Sequence, residues 1–409
     1  MKIAADFVYK DIDEREKGRK KSEGIVELAS PFFNSYESRL VIKGCYAYPP
    51  FINSHDHLIG NWFPRAGNTD LYPNAHIWVN DMVESDSVKE RDKIWVNALP
   101  MNFYKGNGKL LAQLGAYKNI FSGVNAVQDH SPNQQPEYYD MFPINVIRNY
   151  RQCHSLGLGN FWGGEDPVKE WESTKNKMPF ILHLAEGLGE TVDNEFQQLK
   201  ELNLLQNNTL IIHGIALKEN EIEECAQRGT SICWCSFSNI FLIGKTLDIE
   251  SCLKYGVNVV IGTDSTLSGS ANLFEEMRFA HKTCPSIKPE TLLKMVAGNA
   301  RKALFLPEEY GKIKQEANEN ILLMKVKTED PYENVLKSDP DDILLLMEKG
   351  RPLFGQKNML KYFNVNERDY FFYKKKQEEY FVIGHPEHIM SQIDSILGYK
   401  KKLPYLPFQ

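Results

Sequence analysis

The sequence lacks the segments that would place it in a membrane or bring it to a nucleic acid. It contains no apolar run near the roughly 20 residues needed to span a bilayer. Its amino terminus becomes charged at once, at Lys2 and Asp6, and lacks the apolar core of a signal peptide. The net charge of -6 gives no support for the basic face that nucleic-acid binding requires. We therefore expect a cytoplasmic protein with neither a membrane nor a nucleic-acid partner.

Cysteine is scarce and irregularly spaced. Seven cysteines in 409 residues, an odd number without a repeated interval, favour reduced thiols over a disulfide framework. One residue separates the cysteines of Cys233-Trp234-Cys235, which differs from the C-x-x-C spacing of redox and zinc-ribbon motifs. We expect this pair to fill the wall of a buried strand.

Apolar strands alternate with amphipathic helices through the middle of the chain. This alternation is typical of βαβ units and a parallel sheet. With the strand at Phe51 we count seven strands, and the interval between Ser155 and Lys175 offers only a poor candidate for the eighth, Gly157–Phe161. A (β/α)8 TIM barrel needs about 250 residues, and residues 49–306 fit. The other predicted strands are Gly123–Asp129, Ile144–Tyr150, Pro179–Leu182, Thr209–Ile212, Thr230–Cys235 and Val257–Gly262, and the helices are Asp193–Leu202, Glu219–Gln227, Ile249–Lys254 and Leu273–His281.

The two ends of the chain are predicted to form a second, smaller unit. Short β-like runs occur on both sides of the barrel, and residues 1–48 plus 307–409 therefore form a composite small β domain with a C-terminal extension. Lys374–Lys376 and Lys400–Lys402 in the tail are expected to be solvated surface. The runs are Ile3–Val8, Gly24–Leu28, Arg39–Tyr46, Gly311–Val326 and Asp342–Leu353.

The strand that begins the barrel ends in two histidines, His55 and His57. In an extended chain residues i and i+2 point to the same side, so both imidazoles can be directed at one point. Two convergent imidazoles suit a divalent metal ion. Pairs of this kind also occur on surfaces by chance, so the interpretation requires further ligands at the ends of other strands.

Later strands supply such residues. The carboxyl ends of barrel strands meet at one mouth, and burying several polar side chains there without partners would cost several kcal/mol. Three imidazoles and one carboxylate can instead share a zinc-like or ferrous ion. The polar residues at predicted strand ends are His55, His57, His130, His183, His213 and Asp264.

Glu186 follows His183 by three residues. A site that splits water on a metal needs a group that takes a proton and returns it to the leaving group. Glu186 is suited to that role. The alternative interpretation is an acid at a helix N-terminus.

These motifs resemble the metal-dependent amidohydrolase superfamily, particularly its cytosine, guanine and adenosylhomocysteine deaminase and chlorohydrolase-like branch. The resemblance covers about residues 44 to 306 and is specific in order and spacing. A departure is Pro50, which stands where a glycine usually follows the proline. The matching pieces are Pro49-x-Phe51-Ile52-Asn53, His55-Asp56-His57, His183-x-x-Glu186, His213-Gly214, Ser238-Asn239 before Leu242-x-Gly244, Gly262-Thr263-Asp264-Ser265 and Ala297-Gly298-Asn299-Ala300-Arg301.

The resemblance implies a role for each matching residue. Besides binding the metal, Asp264 would orient and deprotonate the attacking water, and Glu186 would shuttle protons. His213 would polarise the water or the oxyanion, and whether it binds the metal is left open. No bridging lysine is evident, which favours one divalent ion, zinc or iron. The implied fold is the barrel with a small β-sandwich from both termini, and family members are often dimers. The implied ligands are His55, His57, His183 and Asp264.

The long connection after the first strand, Ile59–Asn107, reads as a functional lid with one helix, Val88–Leu99. Five residues are candidates for substrate contact, and each has an alternative role. Trp62 and Arg65 could instead pack within the loop, and Asn239 could hold a loop. His130 could instead support a metal ligand or be purely structural. The candidates for substrate contact are Trp62, Arg65, His130, Asn239 and Ser265.

The function predicted from these residues is hydrolysis of a non-peptide carbon–nitrogen bond in a small molecule. Deamination of a heterocyclic amine, such as a purine or pyrimidine, is the first candidate. Hydrolysis of a cyclic amide or imine, or of a chloride, uses the same metal–water core and stays open. A catalytically silent metal-binding paralogue would be expected to have lost a motif residue, and none is lost here.

Overall fold

The computed structural model describes residues 2–9, 24–34, 39–42, 44–62, 66–67, 70–95, 102–158, 166–314 and 318–409. Short strands occupy the amino-terminal part, where the sequence predicts them. They are β1 Lys2–Ala5, β2 Phe7–Val8, β3 Gly24–Glu27, β4 Arg39–Val41 and β5 Cys45–Tyr48. β1 pairs antiparallel with β3 and parallel with β4, while β2 pairs with β5 in a different sheet.

The central segment contains two parallel sheets. In order, β6-β7-β8 form a three-stranded sheet and β13-β12-β11-β10-β9 a five-stranded one. A backbone hydrogen bond from Asp264 N to His55 O, 3.1 Å long, joins the ends of β13 and β6. The strands are β6 Phe51–Asp56, β7 Val124–Asp129, β8 Asn145–Val146, β9 Arg151–Ser155, β10 Phe180–Leu184, β11 Thr209–His213, β12 Ser231–Trp234 and β13 Val259–Ile261.

The candidate position for the eighth strand is wrong. That strand is β9, Arg151–Ser155, which lies before the interval between Ser155 and Lys175 and pairs with β10. The run Ile144–Tyr150, predicted as one strand, contains only the two residues of β8. β9 escaped prediction because Arg151, Gln152 and His154 interrupt it, so it lacks the continuous apolar run that marks most strands of a buried parallel sheet.

Helices connect the parallel strands and are numbered α1 to α13. In the segment predicted as a lid, Asn74 caps α1 and Ser85 caps α2 through their side-chain oxygens. The helix predicted at Val88–Leu99 corresponds to α2, which begins at Asp86 and ends at Ile94, and α1 before it was not predicted. Residues 96–101 lie outside the described residues. The helices are α1 Ala75–Met82, α2 Asp86–Ile94, α3 Gly108–Ile120, α4 Pro136–Asp140, α5 Pro167–Ser173, α6 Glu190–Asp193, α7 Glu195–Glu201, α8 Glu219–Arg228, α9 Ser236–Ile243, α10 Ile249–Tyr255, α11 Leu273–Thr283, α12 Pro289–Met295 and α13 Gly298–Ala303.

Strands from both ends of the chain share one seven-stranded sheet of order β17-β18-β16-β15-β14-β5-β2. β14 pairs antiparallel with β5, which leads directly into β6. The sequence predicted β14 to β16 but not the last two strands or α15. These elements are β14 Ile321–Lys325, α14 Pro331–Lys337, β15 Ile343–Glu348, β16 Arg351–Gln356, β17 Tyr370–Lys375, β18 Glu378–Ile383 and α15 Pro386–Leu397.

The tail after α15 packs back onto the start of the lid segment. Lys401 was predicted to be solvated, but only 11% of its side chain is exposed, because it pairs with Glu90 and lies 4.3 Å above the Trp62 ring. The Tyr405 hydroxyl donates to the Asn61 carbonyl at 2.8 Å. The tail therefore supports the chain that follows the His-x-His strand.

The cysteines and the strand interiors agree with the expected buried sheet. All seven cysteines are buried free thiols. Cys233 and Cys235 pack with Ile52, Ile212 and Val260 in one hydrophobic cluster, so the C-x-C pair fills a wall as predicted. Among the described residues, no helix combines the length and apolarity needed to cross a membrane.

Candidate metal centre

The structure brings together the five residues that the sequence predicts around a metal. The possible ligand atoms of His55, His57 and Asp264 lie within 4.8 Å of one another, as do those of His55, His183 and His213. The ring centroids of His55 are 4.8 Å from His57 and 4.9 Å from His183. These residues lie at or next to the carboxyl ends of β10, β11 and β13 in the five-stranded sheet and of β6 in the three-stranded sheet. The carboxyl ends of the strands therefore converge on one point.

Asp264 presents one carboxylate oxygen to the histidines. Its Oδ1 lies 3.8 Å from Nε2 of His55 and 3.8 Å from Nε2 of His57. Its Oδ2 accepts hydrogen bonds from the hydroxyls of Ser238, at 2.8 Å, and Ser268, at 2.7 Å. Burial opposes ionisation, but His57, His213 and the two hydroxyls outweigh it and hold the pKa of Asp264 below its ordinary value. The carboxylate is thus ionised and oriented.

Two further rings are held through their Nδ1 atoms. His183 Nδ1 lies 2.8 Å from the carbonyl of His154, and His213 Nδ1 lies 2.7 Å from Oδ1 of Asn239. Since a carbonyl oxygen only accepts, each Nδ1 carries the proton and leaves Nε2 as the lone-pair donor. Hydrogen bonds of this kind fix the tautomer of metal-binding histidines. Asn239, a candidate for substrate contact, therefore holds His213 instead.

The donor set fits a divalent ion. His55 Nε2 and His183 Nε2 are 3.3 Å apart, close to the roughly 3.3 Å between two nitrogens bound tetrahedrally at about 2.0–2.1 Å from zinc. Burial, followed by neighbouring histidines, holds the pKa of both rings well below the ordinary value. Neutral imidazoles are the form that binds metal.

Glu186 faces the same centre from the loop between β10 and α6. Its Oε1 lies 3.4 Å from His213 Nε2. Burial, then Asp264 and Glu195, raises the pKa of Glu186 well above its ordinary value. A raised pKa favours the protonated form, in which a carboxyl group can act as an acid. The alternative reading as a helix N-terminal acid is wrong, because α6 begins only at Glu190.

A cavity of about 800 Å³, including its open mouth, lies above the centre. His57, Glu186 and Asp264 form part of its floor, and Trp78, Val79 and Met82 of α1 line it together with Phe103, Leu158 and Leu267. The predicted lid thus contributes an apolar wall. Such walls suit the faces of an aromatic or heterocyclic ring.

The candidates for substrate contact separate into two groups. His130 is 2% exposed and lines the cavity, and so does Ser265; neither ring nitrogen of His130 has a hydrogen-bond partner in the described part of the chain. Trp62 is not among the cavity-lining residues, and its Nε1 donates to Glu90 at 2.8 Å, which agrees with the loop-packing alternative. Arg65 lies outside the described residues.

Two residues at this site had no role assigned from the sequence. His154 lines the cavity, and its ring centroid lies 4.7 Å from that of His183. Lys118 on α3 is buried beneath the centre and pairs with Asp56. The pattern of α3, which contains both Lys109 and Lys118, does not indicate which lysine is buried. The charged Asp56 between the two histidines was the available signal for a buried partner.

Comparison with known proteins identifies the class. Residues 169–353 match the model of the amidohydrolase family. The chain is 34% identical over 172 residues to a protein of Thermococcus sibiricus named 5-methylthioadenosine/S-adenosylhomocysteine deaminase, covering 38% of this chain and 40% of that one. A Pyrococcus furiosus protein of the same name is 28% identical over 199 residues, 44% of this chain and 46% of that one. This chain therefore contains an amidohydrolase family domain, and the matches span about two fifths of the curated relatives.

Solved structures share the fold over most of the chain. An adenosine deaminase from Xanthomonas campestris with bound zinc has a TM-score of 0.65 at 16% identity, covering 86% of this chain and 92% of that one. An atrazine chlorohydrolase from Arthrobacter aurescens complexed with zinc has a TM-score of 0.68 at 14% identity, covering 97% and 99%. At this identity the structures show a shared fold, and it is the match of residues 169–353 to the amidohydrolase family that confirms the resemblance stated from the motifs.

Proposed function

We propose that this chain is a metal-dependent aminohydrolase that releases ammonia from a heterocyclic amine. The observation that carries the proposal is one cavity floor on which Asp264 and the histidines surround a point, with Glu186 Oε1 3.4 Å from His213 Nε2 beside them. The proposed ligands are His55, His57, His183 and Asp264, and His213 stands next to them with its ligation of the metal left open.

Each catalytic residue has a task that follows from its surroundings. A divalent ion, when bound, lowers the pKa of water toward neutrality. Asp264 Oδ1 is ionised and takes a proton from the attacking water. Glu186 delivers its proton to the ring nitrogen, receives the proton that Asp264 took from water, and passes it to the departing amino group, which leaves as ammonia. The hydroxyl proton of the collapsing tetrahedral carbon then returns to Glu186. His213, whose Nε2 carries the lone pair, accepts a hydrogen bond from the attacking water and so polarises it.

The substrate class is supported by the cavity and by the names of the relatives. The relatives with matching sequence are named as deaminases of adenosine derivatives, and the apolar wall of Trp78, Val79 and Met82 suits a purine face. A 6-aminopurine nucleoside is therefore the first substrate to test. The fold shared with the atrazine chlorohydrolase keeps a chloride leaving group, or a cyclic amide or imine, as the alternative on the same centre.

The metal is proposed to be a single zinc or iron ion. A site of three histidines and one aspartate accepts either. Zinc is bound in the adenosine deaminase and chlorohydrolase structures that share the fold. Elemental analysis of purified protein, before and after reconstitution with each metal, separates the two.

We further propose that β6 to β13 close into a (β/α)8 barrel spanning residues 49–306. The hydrogen bond between the ends of β13 and β6 supports closure. Residues 1–48 plus 307–409 would form the composite domain, supported by the pairing of β5 with β14, with a β-sandwich as the finer expectation. A homodimer, cytoplasmic location and the lack of nucleic-acid or membrane partners stay predictions.

The deciding experiment combines a substrate screen with one substitution. Wild-type protein with stoichiometric metal should release ammonia from at least one purine, pyrimidine, pterin or triazine amine. Glu186→Gln should keep the metal and lose at least about 10²-fold in kcat, the lower range for proton-transfer catalysis. Glu190→Gln, at an exposed position four residues later, is the matched control. Unchanged turnover in Glu186→Gln would refute the assigned role.

A further inference from the structure

Helix α3 buries a lysine directly behind the candidate metal centre. Lys118 is 1% exposed, and lysine is almost never this buried unless it is paired. Four oxygen atoms lie within hydrogen-bond distance of its Nζ, which carries three N–H groups. These are Asp56 Oδ1 at 3.3 Å, Asn61 Oδ1 at 2.8 Å, Thr263 Oγ1 at 3.0 Å and the Asp264 carbonyl at 2.7 Å.

The four acceptors belong to the chain segments that carry the proposed ligands. Asp56 lies between His55 and His57, and because alternate residues of a strand point to opposite sides, its carboxylate faces away from the imidazoles. The carboxylate also accepts from Asn61, at 2.9 Å, and from Asn119, at 2.9 Å. The pair of Asp56 and Lys118 therefore fixes the rotation of the strand that aims both histidines.

The contact with the Asp264 carbonyl acts on the other side of the centre. Asp264 has a φ of 53°, a left-handed conformation that is unfavourable for a residue with a side chain. Lys118 holds the carbonyl of this residue directly and also bonds the hydroxyl of Thr263 before it. The same ammonium thus connects the end of β13 to the end of β6.

The close approach of α3 depends on a glycine. A Cβ at Gly115 would lie 2.5 Å from the carbonyl oxygen of Leu58, in the turn that follows His57. Only a residue without a side chain lets the helix contact this turn. The helix is therefore placed so that Lys118, one turn later, reaches Asp56.

We propose that Lys118 is a positioning residue that, through Asp56 and the Asp264 carbonyl, sets the geometry in which His55, His57 and Asp264 bind the metal. This inference rests on the proposed metal centre, but not on the identity of the substrate. Residues outside the ligand shell that orient ligands change metal affinity by about 10- to 100-fold. Loss of the network should therefore appear as weaker metal binding.

The variant must remove both charges together. Replacing Lys118 alone would leave the Asp56 carboxylate buried without its cation, which strongly destabilises a protein. The paired variant Asp56→Asn/Lys118→Gln keeps polar groups at both positions without charge. Lys109→Gln is the control, since Lys109 is an exposed lysine on the same helix.

The test measures zinc affinity by competition with a chelator and the visible spectrum of the cobalt-substituted protein. We expect the paired variant to bind zinc about 10- to 100-fold more weakly and to show an altered cobalt spectrum, while Lys109→Gln matches wild type. Wild-type zinc affinity and spectrum in a folded paired variant would overturn the proposal.

A second variant decides the matter if the paired variant does not fold. Thr263→Val removes one acceptor of Lys118 with a side chain of the same shape and leaves both charges in place. We expect it to weaken zinc binding at least threefold, and unchanged affinity would overturn the proposal. These measurements need no substrate, so a failed substrate screen would count against the aminohydrolase function and not against the role of Lys118.

Discussion

The orientation of Asp264 can be tested by removing the two hydroxyls that hold it. Ser238→Ala and Ser268→Ala each delete one donor to Asp264 Oδ2. A hydrogen bond to a charged acceptor contributes about 1.5–3 kcal/mol, so each variant should lower the free energy of unfolding of the metal-free protein by about that amount. Urea denaturation at pH 7 measures the loss, with Ser395→Ala at an exposed site as the control.

The double variant makes this test quantitative. Both hydroxyls donate to the same oxygen, and the two hydroxyl oxygens lie only 3.0 Å apart. The loss in the double variant should therefore differ from the sum of the two single losses by more than about 0.5 kcal/mol, the limit for independent sites. Single losses within about 0.5 kcal/mol of the control would refute the view that these hydroxyls stabilise the carboxylate.

The pH dependence of the same variants follows from the direction of the shift. The folded-state pKa of Asp264 lies below its ordinary value of 3.8, so its contribution to stability is complete above 3.8 and is lost as the pH falls through the folded-state pKa. Removing a hydroxyl raises that pKa. The difference between wild type and variant should thus be full at pH 7 and shrink only under acidic conditions; a difference that grows on acidification would contradict this sign.

Three further predictions concern the metal, the tail and the backbone. Chelation should lower Tm, since a ligand at 100 times its Kd contributes about 2.7 kcal/mol to the folded state; equal Tm values with and without metal would contradict a bound ion. Tyr405→Phe should cost about 0.5–1.5 kcal/mol by losing the bond to Asn61, against the exposed Tyr104→Phe as control. Ala226→Gly within α8 should lower the free energy of unfolding by about 1 kcal/mol. Ala185→Gly should not show this loss, because Ala185 has a φ of 56° that glycine adopts freely. Urea denaturation measures the tyrosine pair and the alanine pair.

The metal-facing residues were predictable because each follows a strand with a strong pattern. The apolar run Phe180-Ile181-Leu182 leads to His183. The run Thr209-Leu210-Ile211-Ile212 leads to His213. Runs of this kind mark buried parallel strands. A polar residue directly after such a run must lie at the mouth, so sequence reasoning located it.

The parts that were missed depend on contacts between distant segments. β9 contains Arg151, Gln152 and His154, and it is a strand because it pairs with β10 and not because of its own pattern. Lys401 resembles a solvated lysine until the tail brings it over Trp62. Such residues take their roles from tertiary partners, and one sequence does not reveal those partners.

The backbone at the centre explains why several buried polar groups surround it. Ala185, His213 and Asp264 follow three parallel strands and have φ values of 56°, 72° and 53°. Each such residue costs about 1–3 kcal/mol unless its surroundings determine it. Glu195 accepts a hydrogen bond from Ala185 N at 2.6 Å, Asn239 holds the His213 ring at 2.7 Å, and Lys118 holds the Asp264 carbonyl at 2.7 Å. In each case the left-handed residue ends the strand abruptly. The side chains of His213 and Asp264, and that of Glu186 directly after Ala185, are directed at the centre. The polar groups behind the strands thus hold the geometry that the proposed metal site requires.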